Sequence, residues 1–252
     1  MKNYLLKIIA LVLFAFVLSC ESDCQVPSIG GMQIQKEVVT SSEGDPNDIS
    51  FASAGWSYGT TNIIPTYIAD IIEDDIIFIA AVTNGSGIIY PTEGWTEIYQ
   101  ENHTNSSAAI FWRRADATTP YGPLLNDTLY TSNPGICGIF RLRGCKSTGV
   151  PFDNYEVNNI TATNTPSIPE ITTDGARYVL AIILEEDDNY SWLNLPSVYT
   201  RLYWAFSGNS TDFLSAIFSQ IISNSGTIAS ESFSAGAYDY YFSIAIAMIA
   251  EP

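Results

Sequence analysis

The chain has 252 residues, 27 acidic against 10 basic, for a formal charge of −17. A surface that acidic repels phosphate backbones and sulfated chains, which argues against nucleic acid and polyanionic glycans as partners. Tyr, Phe, Trp, Ile and Thr are plentiful, Lys and Arg are scarce and turn residues recur throughout, a composition that favours an all-β body over a helical one.

In chain order, Lys2 and Lys7 come first, beside an unbroken apolar run from Ile8 to Leu18 that stops at Ser19-Cys20. A positive start, a short apolar centre and a small residue at the cut describe a signal peptide over residues 1–19. The run falls short of the roughly 20 apolar residues that a membrane helix needs. The segment Val17-Leu18-Ser19-Cys20 resembles the lipobox of bacterial lipoprotein precursors. That resemblance implies lipidation at Cys20. It also implies a secreted protein, at the bacterial cell surface or in an extracellular fibre, that meets the membrane only through its lipid anchor. Residues 20–31, with Pro27 and the Gly30-Gly31 pair, read as a flexible spacer. Beyond it, Met32, Ile34 and Val38 fall on one face of an extended segment, 32–40, which reads as a strand set apart from the rest.

The body, residues 32–252 in all, reads as one domain containing two related halves, about 50–149 and 150–252. The run Asp74 to Val82 corresponds to Arg177 to Leu184, and Gly94 to Tyr99 corresponds to Val198 to Tyr203. Ser107 to Phe111 corresponds to Leu214 to Phe218, and Ile136 to Arg143 corresponds to Tyr241 to Ile249. Neither half supplies enough strands to cover both faces of a sheet. The expected solution is two sheets packed face to face as a β-sandwich of jelly-roll type, built from an internal duplication. Parity along 136–143 places Phe140 and Leu142 on one side, with Arg141 and Arg143 on the other. The tight run from Gly144 to Pro151 predicts that no flexible linker separates the halves.

This order of motifs, Asp-Asp plus an apolar strand, Gly-Trp-Thr, Ala-Ile-Phe-Trp-Arg-Arg and Gly-Ile-Phe-Arg-Leu-Arg-Gly, resembles a β-sandwich of marine phage tail-associated and bacterial surface proteins. The resemblance spans about Ser50 to Ala250 and implies fold and setting rather than an activity.

Three acidic clusters punctuate the chain: Asp45 with Asp48, Glu73-Asp74-Asp75, and Glu185 through Asp188. They are expected to be solvated turns. The last is the best candidate for calcium, through Glu185, Asp187 and Asp188, because it ends a buried-type strand; no other cofactor is expected. Trp95 and Tyr199 hold matching positions in the halves and read as core, whereas Tyr190 and Trp192 read as an exposed pair able to stack on sugar rings. Arg113, Arg114, Arg141 and Arg143 are expected to pair with neighbouring carboxylates, and His103 to lie in a turn. Cys137 and Cys145 are separated by roughly 26 Å of strand and cannot bridge each other.

No nucleophile elbow, zinc-binding helix motif or Cys-His pair is present, so the chain is expected not to be an enzyme. Two functions fit. The first is a structural subunit of an extracellular fibre, a head-to-tail homopolymer in which Met32, Ile34 and Val38 add a strand to a neighbour. Its layout resembles the lipid-anchored fimbrial precursors of Bacteroidetes-type pili. The alternative is a surface lipoprotein or adhesin that binds a neutral glycan, with a phage-tail-like receptor-binding module close to it.

Overall fold

The computed structural model describes residues 44–65, 70–116, 128–186, 192–194, 197–206, 213–235 and 238–252. Cys20, Met32, Ile34 and Val38 therefore lie outside the described residues, as do Asp187, Asp188 and Tyr190. The body opens with a 3₁₀ turn, Pro46–Asp48, capped by Asp45, whose carboxylate accepts from the Asn47 backbone N–H at 2.9 Å.

The first half then forms β1 (Ser50–Gly59), β2 (Asn62–Ile63), β3 (Ile76–Asn84), β4 (Tyr90–Pro91), β5 (Thr96–Asn102), β6 (Ser106–Arg114), β7 (Leu129–Tyr130) and β8 (Gly135–Arg143). The second half forms β9 (Phe152–Thr163), β10 (Ser167–Ile168), β11 (Ile171–Thr173), β12 (Arg177–Glu186) and β13 (Trp192–Asn194). It continues with β14 (Thr200–Phe206), β15 (Phe213–Ile222), β16 (Gly226–Ile228), β17 (Glu231–Ser232), β18 (Ser234–Ala235) and β19 (Asp239–Met248).

The fold is all-β, and its long strands make two five-stranded antiparallel sheets, one per half. The first runs β1-β8-β3-β6-β5 and the second β9-β19-β12-β15-β14. Counted along each half, both sheets have the same order of long strands: first, fifth, second, fourth, third. An irregularity also recurs at the same place. The ladder between β5 and β6 slips between Glu97 and Tyr99, and the ladder between β14 and β15 slips between Arg201 and Tyr203. The bulged pairs lie opposite Phe111 and Phe218, which the sequence correspondence also aligns.

The central strands β3 and β12 are apolar at successive positions rather than alternate ones, because both faces are covered. Ile76, Phe78, Ala80 and Val82 point between the sheets and share one apolar cluster with Leu180, Ile182, Leu184 and Ile244 of the other half. Ile77, Ile79 and Ala81 point outward, under the short β2-β7-β4 sheet, onto Ile63, Ile89 and Leu129. Val179, Ala181 and Ile183 point outward in the second half, onto Ile168, Ile171 and Ile228 of the ladders β10-β17 and β11-β16. Two layers were expected; each main sheet instead carries a further layer of short strands on its outer face. Each Ile, Leu or Phe buried this way contributes about 1.5–3 kcal/mol.

The main sheets meet with β3 over β12, β8 over β15 and β1 over β14. Aromatic pairs cross between them, including Tyr99 with Phe242, ring centroids 5.7 Å apart, and Trp112 edge-on to Phe152 at 5.9 Å. The connection between halves is held by the end of the chain: Lys146 N–H donates to Ile249 O, and Glu251 N–H to Gly144 O. Gly144 turns with φ +83°, where a Cβ would stand 2.3 Å from Asp48 O, so both its backbone and its surroundings require glycine.

Candidate functional site

Beside β9 the ladder slips again. Tyr241 pairs with Thr161, but Ser243 pairs with Asn158, which leaves Asn159 and Ile160 bulged out. The first half pins the bulge: Glu101 accepts from Ile160 N–H at 2.7 Å, and Tyr99 OH donates to Asn159 Oδ1 at 3.0 Å. Behind the bulge, β9 and the segment leading into β10 enclose a cleft of about 440 Å³, floored by Tyr241 and Ser243. Its walls carry neutral side chains such as Asn158, Thr161, Thr163 and Thr165. Asn158 Nδ2 donates to Ser167 O at 2.8 Å, and Ser243 Oγ to the same carbonyl at 2.6 Å, so much of the polar lining is already bonded.

The floor connects to Glu185. This side chain is fully buried on β12, and its Oε1 accepts from Tyr241 OH at 2.9 Å. Burial, followed by the neighbouring charge of Glu185, pushes the Tyr241 hydroxyl well above its ordinary range and keeps it a donor. The cleft therefore offers hydrogen bonds from neutral groups. Sequence reading singled out Glu185 but not Tyr241. The two face each other across the β12–β19 ladder, a register that strand patterns alone do not supply.

Of the calcium candidates, Glu185 is the one described, and it is bonded to a phenol. Among the described residues no group of three or more His, Cys, Asp or Glu is arranged to hold a metal ion. Trp192 opens β13, paired with Ala235 of β18, and its side chain lies outside the described residues.

The Glu73-Asp74-Asp75 turn departs from expectation. Glu73 and Asp74 are exposed, but Asp75 is only 1% exposed. It accepts from Arg143 Nε at 2.9 Å, Arg143 Nη2 at 3.0 Å and Ile72 N–H at 2.9 Å, and Arg141 Nη1 lies 3.2 Å away. The physical reason is that Arg141 is buried on β8, and a buried guanidinium needs a counter-charge beside it. Asp45 and Asp48 stay exposed at a turn, as expected, with Asp45 capping the 3₁₀ segment.

The other arginines are structural as well. Arg114 lies 3.8 Å from Asp74, Arg113 sits 4.9 Å over the Trp95 ring, and Arg177 bonds Asp153 at 2.7 Å. Trp95 and Tyr199 directly precede β5 and β14 and pack into the two outer clusters, as their matched positions require. Cys137 and Cys145 are free and buried, and burial pushes each thiol up to about 12. His103 lies in the turn between β5 and β6, its ring 5.4 Å from that of Tyr240.

Comparison of the chain with family models, with curated proteins and with solved structures found no match.

Proposed function

We propose that the chain is a non-catalytic structural subunit of an extracellular fibre, secreted, lipidated at Cys20 as a precursor, and joined head to tail by addition of the 32–40 strand to a neighbour. The observation that carries this reading is the chemistry of the sheet edges. Three strands at the edges of the main sheets carry charges: Glu97 and Glu101 in β5, Asp153 and Glu156 in β9, and Arg201 in β14. Such charges discourage strand pairing. The fourth edge strand, β1, contains no charged residue. In the sequence, Met32, Ile34 and Val38 give the 32–40 segment the one-sided apolar pattern that strand addition to another copy uses.

We read the shared strand order and shared bulge of the two sheets as the product of duplication. The nested pairings β1 with β8, β2 with β7 and β3 with β6 support jelly-roll wiring within each half. The second reading, a surface lipoprotein or adhesin that takes a neutral glycan, is supported by the uncharged cleft beside β9, with Tyr190 and Trp192 as its sequence candidates.

Ile34→Asp places a charge where the proposal requires an apolar contact, and should abolish polymer formation while the body keeps its circular dichroism and melting transition. A synthetic 32–40 peptide should bind a body truncated before Val39 and cap growth of the intact chain. Polymers from the Ile34→Asp chain, or a peptide without effect, would exclude strand addition.

A further inference from the structure

The short β2-β7-β4 sheet turns one face to the core and the other to solvent. Ile63, Leu129 and Ile89 are buried, so their chain neighbours Asn62, Ile64, Tyr130, Ile88 and Tyr90 point outward. Tyr90 and Tyr130 are directly opposite in register and stack, with ring centroids 5.1 Å apart and planes 21° from parallel. They are nevertheless 54% and 37% exposed, and Ile64 and Ile88 are 62% and 63% exposed. The same sheet is extended by Thr92 and Thr128, joined by a backbone hydrogen bond of 3.1 Å that continues the ladder. None of these outward residues is charged, in a chain of formal charge −17; the nearest carboxylates in sequence are Glu93, directly after Thr92, and Asp127, directly before Thr128.

We propose that this face binds a neutral oligosaccharide. Three strands about 4.8 Å apart, each about five residues long with its flanks, define a patch of roughly 250 Å². That is well below the roughly 800 Å² per partner of a stable protein interface, which argues against a second copy as occupant. An anionic ligand would be repelled by the surrounding acidic surface, and a cationic one would find no carboxylate among the outward residues. What remains is a flat apolar platform of two tyrosines, bordered by amide and hydroxyl groups that donate and accept without charge. The C–H faces of a pyranose ring fit the former and its hydroxyls the latter. The site lies on the first half, away from the cleft beside β9, and does not depend on polymer formation.

The test titrates the full chain with cellohexaose, laminarihexaose, xylohexaose and mannohexaose, with a heparin hexasaccharide as the anionic comparison. At least one neutral hexaose should bind and shift the tyrosine fluorescence, and heparin should not. Tyr90→Ala and Tyr130→Ala should each weaken binding about three- to tenfold, the worth of one aromatic contact, while Tyr90→Phe retains most of it. Both rings are exposed, so circular dichroism should show the variants folded. Absence of binding by all four neutral probes overturns the proposal. So does neutral binding that survives the double Tyr90→Ala/Tyr130→Ala change, which would move it elsewhere. Loss of self-association in that double variant, seen by sedimentation, would assign the face to a second copy instead.

Discussion

Asp75 is a single carboxylate serving two guanidinium groups and a backbone N–H at the buried foot of β3. Asp75→Asn keeps the shape but removes the carboxylate charge that faces buried Arg141 and half-buried Arg143. The expected loss is about 3–5 kcal/mol, as for a broken buried ion pair. Urea denaturation measures it, and a change under about 1 kcal/mol would show that this buried carboxylate is worth no more than an exposed pair. Parity along β8 was legible in the sequence and correctly opposed Phe140 to Arg141. The burial of Arg141 was not, because it goes with a contact to Asp75, at the foot of the neighbouring strand β3, that only the sheet register supplies.

At the scale of elements, the strands easiest to read were those buried on both faces. The runs in β3 and β12 are apolar at every position over most of their length, and the structure explains why: each is covered by the opposite sheet and by its own outer ladder. The short strands β2, β4 and β7 carry no readable periodicity, since two residues cannot display a repeat. Partnership across the central interface carries a testable consequence. Phe78, Phe140 and Leu142 of the first half share one apolar cluster with Ile182 and Ile246 of the second, so residues 50–149 expressed alone expose that face. The fragment should aggregate or lack a cooperative melt. A soluble fragment with sharp, dispersed amide resonances would show that each half folds by itself.

For the whole molecule, the all-β class was legible from composition and apolar runs, and the two main sheets have the same strand order, each with a register slip in the ladder at its end. The cleft beside β9 was not legible, because it arises from a register slip and from contacts with a distant part of the chain; the Tyr99–Asn159 bond has a separation of 60 residues. The functional reading rests on different parts of the chain, the apolar-faced 32–40 segment and the uncharged edge strand β1. Negative-stain imaging of two purified chains tests it most directly, one beginning at Cys20 and the other at Ser41, at equal concentration. Filaments from the first and isolated particles from the second are the predicted result. Isolated particles from both, or filaments from both, would contradict assembly through the 32–40 strand.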